Sequence, residues 1–116
     1  MSQEPLDVPA ALERIGGEME FLWELLEIFQ DDFRDKIGRL KDAVKSKDFN
    51  AVQNIGHALK GASANLSLLP LQAACKKMEE AGRSHEAQAS EEALGEMEKE
   101  FERLLSFLRD LQKKES

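Results

Sequence analysis

The chain has 116 residues, 41% of them hydrophobic and 34% charged, with a formal net charge of −7, a balance that suits one small helical domain and excludes a disordered chain. Excess negative charge argues against nucleic acid and against an anionic membrane surface as partners, because both recruit basic faces. A single cysteine forms no internal disulfide, no apolar run approaches the ~18 residues of a membrane span, and no Gly-rich phosphate loop is present, so autonomous ATP-dependent kinase chemistry is not expected.

The first nine residues hold no basic region followed by an apolar core, so no signal peptide is expected and the expected location is the cytoplasm. Asp7 is placed to cap a short helix over 8–15, with Pro9 in its tolerant first turn and Gly16 and Gly17 ending it. A long helix is predicted over 18–46, with the stripe Leu22, Leu26, Phe29, Phe33, Ile37, Leu40 and Val44 facing the core and Gly38 on the polar side. It carries a second apolar line, Phe21, Leu25 and Ile28, rotated away from the first at about 100° per residue. The short helix, through Val8, Leu12 and Ile15, is placed to cover Phe21 and Leu25, while Ile28, with Asp32 next in line, is expected to stay exposed.

Asp48 is placed to cap a helix over 49–66, with Phe49, Val52, Ile55, Leu59, Ala62 and Leu66 as its stripe. Residues 67–69 read as a tight turn. A helix over 69–81 then has Pro70 in its first turn, an apolar face of Leu71, Ala74, Cys75, Met78 and Ala81, and Gly82 as its stop. Cys75 lies on that face and reads as structural, since a reactive thiolate needs exposure and a nearby cation. The polar run 83–89 reads as the main loop and Ser90 as the cap of a last helix over 91–112, with Leu94, Met97, Phe101, Leu104, Leu105, Leu108 and Leu111 as its stripe. Glu91 and Glu92 suit its first turn, and Lys113 and Lys114 its C-terminal end. Without period-two alternation, internal repeat or long linker, the prediction is one all-α domain over 1–116, an antiparallel four-helix bundle with a short additional N-terminal helix. Met1 and the charged tail 112–116 lean towards a free-standing protein, with a domain of a larger kinase as the open alternative, and a complete bundle has no need to dimerise, so a monomer is expected.

Two histidines are present. His85 falls in the polar run and lacks the cysteine or i+4 histidine spacing of a metal site. His57 sits mid-helix but off the stripe, among Gln53, Asn54, Lys60, Gly61 and Ala64, which are one turn away and polar or small. Spacing alone favours an exposed surface histidine without a role. Gly61 shifts that balance. A glycine costs roughly 1 kcal/mol in a helix interior relative to alanine, and at i+4 from His57 it opens room for another surface to approach the ring. Gly56, next to His57, is expected to thin the surround further. Lys60 at i+3 sets a cation beside an imidazole that can act as a nucleophile, a pairing that suits a phosphoryl carrier.

The run 57–66, HALKGASANL, resembles the signature of histidine-containing phosphotransfer (HPt) domains, H-x-L-K-G-x-S/A-x-x-L. The stretch 15–29, IGGEMEFLWELLEIF, is similar to the family's opening, and 71–82, with Cys75 and Glu79, to its next helix. The resemblance implies that His57 is the phosphorylated residue and that Lys60 and Gly61 support it. It implies relay of a phosphoryl group between aspartates on receiver domains of a hybrid sensor kinase and a response regulator, with no autokinase activity, no cofactor of the chain's own, and Mg²⁺ expected on the receiver. The exposed end of the second apolar line, Ile28 with Asp32, is expected to join the His57 face, with Gln53, Asn54 and Ala64, in a partner-binding patch. Family members usually have Gly where this chain has Ser67, and Ser67 is expected to cap the following helix instead.

Three other readings compete. The dimeric phosphoacceptor domain of a sensor kinase usually has an acidic residue after its histidine, where this chain has Ala58. The phosphoacceptor domain of a chemotaxis-type kinase is also an HPt bundle and stays open. A non-transferring helical interaction module would have no need of His57, Lys60 and Gly61 together.

Overall fold

In the computed structural model, which describes residues 3–115, two of the five helices start at an aspartate. Asp7 accepts a hydrogen bond from the Ala10 N–H at 3.1 Å and starts α1 (Val8–Ile15). Asp48 accepts from the Ala51 N–H at 3.2 Å and starts α3 (Phe49–Asn65). Each carboxylate satisfies an N–H that has no partner inside its own helix. Helix α2 (Met19–Ser46) follows a turn in which Gly16 and Gly17 take positive φ, 98° and 91°. Helices α4 (Leu69–Arg83) and α5 (Ala87–Glu115) complete the fold. The expected domain range includes residues 1, 2 and 116, and the expected charged tail ends on residue 116; these three lie outside the described residues.

The four long helices form an antiparallel bundle in which α2 packs on α3 and α5, and α4 on α3 and α5, with α1 laid against α2. Leu22, Leu26, Phe33 and Leu40 of α2 meet Val52 and Leu59 of α3, Leu71 and Met78 of α4, and Met97 and Leu104 of α5 in one buried core. Phe33 stacks on Phe101 with centroids 4.1 Å apart and planes 15° apart, joining α2 to α5. Leu6, fully buried ahead of α1, and the Asp7 N–H, which donates to the Ser67 carbonyl at 3.1 Å, tie the N-terminal segment to the α3–α4 turn.

The second half departs from the sequence expectation at four places. Gly82 does not stop α4; the helix runs on through Arg83, and His85 takes the left-handed conformation at φ 55°. The connection is therefore only Ser84–Glu86 rather than 83–89. Ser90 does not cap the last helix, which already starts at Ala87; its buried hydroxyl donates to the Ala87 carbonyl at 2.6 Å. Ser67 does not cap α4 either. It sits at φ 56°, in the left-handed region that favours glycine, and Leu68 takes the N-cap position without a side-chain hydrogen bond.

The positions of two glycines explain why α3 and α4 lie so close. A Cβ on Gly56 would come within 2.8 Å of the Glu79 backbone nitrogen and 3.1 Å of its Cα. A Cβ on Gly82 would collide with the backbone of Gln53. Gly56 and Gly82 are thus contact points of the α3–α4 seam. Gly61, five residues after Gly56 on the same helix, has nothing within 4 Å of an added Cβ.

These surroundings predict opposite outcomes for one substitution at two sites. Gly61→Ala gains helix propensity without a clash and is expected to raise the unfolding free energy by up to ~1 kcal/mol. Gly56→Ala gains the same propensity but forces two backbones apart, with a net loss of about 1–3 kcal/mol. Denaturant titration of both variants checks this; a stabilised Gly56→Ala would contradict the seam.

Candidate functional site

Glu79 is the unexpected feature of α4. It follows Leu71 and Cys75 at i+8 and i+4 on the buried line, and its side chain is only 6% exposed. A buried carboxylate without partners costs several kcal/mol, so the surrounding residues must compensate it. Three cationic or potentially cationic groups do so. Lys60 Nζ donates to Oε1 at 2.5 Å, His57 Nδ1–H donates to Oε2 at 2.7 Å, and the Arg83 guanidinium lies 3.5 Å from Oε2. The Lys60 hydrogen bond holds the Glu79 carboxyl below its ordinary value of 4.5, against burial, with the His57 hydrogen bond adding to the effect.

The contact with Glu79 sets the chemistry of His57. An ionised carboxylate only accepts, so the ring hydrogen sits on Nδ1, and in the neutral imidazole the lone pair is on Nε2. The side chain is 68% exposed, and Nε2 lies across the ring from the buried acceptor. The result is an oriented, accessible nitrogen nucleophile with a buried carboxylate behind it. Gly61, exposed and with open space over its Cα, leaves the approach to this face clear.

The remaining expected site residues fall around this centre. Asn54 is exposed, Ala64 is half-buried, and Gln53 is half-buried with its backbone in the seam against Gly82. Gly56 does not thin the surround of His57 as its sequence position suggested; it is buried between α3 and α4, and its role is to bring Glu79 near. Lys60 is not a free cation beside the ring but the counter-charge of Glu79, half-buried against it.

Ile28 is 65% exposed, while Phe21, which α1 was expected to cover, is 42% exposed. Leu25 and Ile28 line an apolar groove of about 630 Å³ with Ile15 of α1 and Ala62, Asn65 and Leu66 of α3. Asp32 also lines this groove and is paired with Lys36 at 2.8 Å. Of the other two reactive side chains, His85 is exposed and stacks on Phe49 at 5.1 Å. Cys75 is buried, and burial pushes its thiol up to about 12 despite a hydrogen bond with Ser63. Among the described residues no His, Cys, Asp and Glu side chains cluster so as to hold a metal ion, and no helix is long and apolar enough to cross a membrane.

Glu79 and Arg83 are the residues that the sequence reading missed as parts of the site. The signal for Glu79 was a carboxylate on an apolar line, which demands a partner from a neighbouring helix. Arg83 was hidden because Gly82 looked like a helix stop, which removed the i, i+4 relation between Glu79 and Arg83.

The lowered carboxyl of Glu79 has a pH signature. Its stabilising contribution is complete above the ordinary carboxylate value of 4.5 and is lost as pH falls through the lowered value. Glu79→Gln is therefore expected to be less stable than the parent at neutral pH, by about 1–3 kcal/mol, with the gap closing in acid. Thermal melts of both proteins over an acid titration check this; a gap that persists unchanged at low pH would contradict it.

Residues 24–107 match the Hpt domain family. Among solved structures, histidine-containing phosphotransfer protein B of Pseudomonas aeruginosa PAO1 is similar with a TM-score of 0.82 and 29% identity, covering 97% of this chain and 98% of that one. A histidine-containing phosphotransfer protein of Medicago truncatula has a TM-score of 0.80 at 19% identity, covering 97% of this chain and 82% of that one. The corresponding maize protein has a TM-score of 0.74 at 23% identity, covering 96% of this chain and 85% of that one. The two plant structures show a shared fold. Among curated proteins, none matches the chain.

Proposed function

The chain belongs to the Hpt domain family of histidine phosphotransfer proteins, and on that premise we propose that His57 is its phosphoryl-accepting residue, exchanging the group with aspartates on receiver domains. The observation that carries this reading is the His57–Glu79 hydrogen bond at 2.7 Å on a ring that is 68% exposed. It leaves Nε2 unprotonated and facing the solvent. In the forward step the Nε2 lone pair attacks the phosphorus of a receiver's phosphoaspartate in line. The N–P bond forms, the P–O bond breaks, and the aspartate leaves as a carboxylate. The Nδ1 hydrogen stays on the ring, so no proton has to be removed from the attacking nitrogen.

Phosphoryl transfer depends on positioning and charge neutralisation more than on covalent help. The divalent cation is proposed to arrive with the receiver, so the chain acts as a carrier rather than as a nucleotide-using enzyme. Lys60 keeps Glu79 ionised and so holds ready the carboxylate that accepts the His57 Nδ1 hydrogen. Docking is assigned to the surface that joins His57, Asn54, Gly61 and Ala64 to the groove beside Ile28 and Asp32. There apolar contact supplies affinity, while Asp32 and Gln53 tune partner choice. Gly61 admits the receiver's loops close to the ring.

The test is incubation with a receiver domain labelled on its aspartate. The parent chain is expected to take the label. His57→Gln should take none and keep its helical circular dichroism, and Ile28→Glu should slow transfer about tenfold, equivalent to ~1.4 kcal/mol of docking, with an unaltered melting temperature. Label retained by His57→Gln would overturn the assignment. Labelling by a kinase with ATP but never by a receiver would favour the chemotaxis-type alternative.

A further inference from the structure

We propose that the negative charge of Glu79, beyond its hydrogen bond, sets how readily phosphorylated His57 releases its phosphoryl group; this rests on the reading that His57 Nε2 carries that group. Once Nε2 is phosphorylated, Nδ1 is the one ring position left to titrate. With a proton on Nδ1 the ring is an imidazolium, and the N–P bond breaks to release a neutral imidazole. Without that proton the leaving group is an imidazolate, which is far poorer. The occupancy of Nδ1 therefore controls the lability of the bond.

The structure places an anion at that position. Glu79 Oε2 lies 2.7 Å from His57 Nδ1, and the carboxylate is only 6% exposed, so water screens it weakly. It favours the protonated ring even with a phosphoryl group attached. Two cations oppose it. Lys60, on the same helix as His57, holds Oε1 at 2.5 Å, and Arg83 of α4 lies 3.5 Å from Oε2. Helix α2, also packed on α3, presents Asp32, but this residue is paired with Lys36 and lines the groove beside Ala62 and Asn65. Glu79 thus touches Nδ1 directly, whereas Lys60 and Arg83 are placed by their contacts with its carboxylate, and in this proposal the anion in direct contact has the larger effect on Nδ1.

The transfer step balances in this arrangement. The N–P bond breaks and its electron pair returns to Nε2. The phosphoryl group bonds to an oxygen of the acceptor, either the receiver's carboxylate or, in hydrolysis, a water that gives a proton to the solvent. The Nδ1 proton stays between the ring and Glu79, so the product is the tautomer that can accept again.

A purely positioning role and a charge role separate in Glu79→Gln, because glutamine keeps an acceptor oxygen and loses the charge. The chain is phosphorylated with phosphoramidate, and loss of phosphohistidine is followed by ³¹P NMR across the pH range in which histidine titrates. In the parent the rate rises as Nδ1 gains its proton. Glu79→Gln is expected to move the midpoint of this profile down by about one pH unit, which approaches a roughly tenfold longer phosphohistidine lifetime at pH values above the parent's midpoint. Lys60→Gln, at a partly exposed position that keeps the test open should Glu79→Gln fold poorly, is expected to move the midpoint up. Coincident profiles for the parent and Glu79→Gln, or a downward shift in Lys60→Gln, would overturn the proposal alone. A parent chain that takes no phosphoryl group on Nε2 would overturn the phosphoacceptor reading and this proposal with it.

Discussion

The close approach of α3 and α4 at Gly56 and Gly82 is the constraint on which the rest of the site depends. With no Cβ at Gly56, the backbone of α3 lies directly against the backbone of Glu79. That proximity lets a short, buried carboxylate reach two residues of the facing helix at once, His57 through one oxygen and Lys60 through the other. A helix pair at ordinary spacing, separated by full side chains, would place the same carboxylate beyond hydrogen-bond reach of the ring. Steric permission at a glycine becomes electrostatic control of an exposed nitrogen.

One helix therefore uses two glycines for opposite ends. Gly56 faces inward and joins the scaffold, while Gly61 faces outward and keeps space empty. The reactive ring between them is exposed on one edge and held on the other by a group nearly excluded from water. This division lets His57 meet a large partner without losing its orientation. The groove beside Ile28 continues the open side onto α2, where apolar surface is left uncovered by α1.

Much of this was legible in the sequence because it depends on local periodicity and on caps. The apolar stripes, Asp7 and Asp48 as N-caps, and the polar surround of His57 follow from residue spacing alone. The failures share a cause: each concerned a residue type with two physical uses. Gly82 suits a helix end or a close helix crossing, and only φ or the facing backbone separates the two. Ser67 and Ser90 suit a cap, yet one takes a left-handed turn position and the other bonds back to its own helix. Gly56 and Gly61 look alike in the chain, and their difference comes from Met78 and Glu79 of α4, which pack against Gly56 from more than twenty residues further on. Glu79 belongs to the same class, since pairing between α3 and α4 is a tertiary fact that the helical repeat of α4 does not encode.

The central claim is that Glu79 fixes the hydrogen of His57 on Nδ1 and leaves Nε2 as the nucleophile. Long-range ¹H–¹⁵N correlation spectra of the imidazole in the unmodified protein, recorded where the ring is neutral, test it most directly. The structure predicts a predominant Nδ1–H tautomer for His57, with exposed His85 as the internal comparison. A predominantly Nε2-protonated His57 would contradict the account, because the nitrogen assigned to accept the phosphoryl group would then carry the hydrogen.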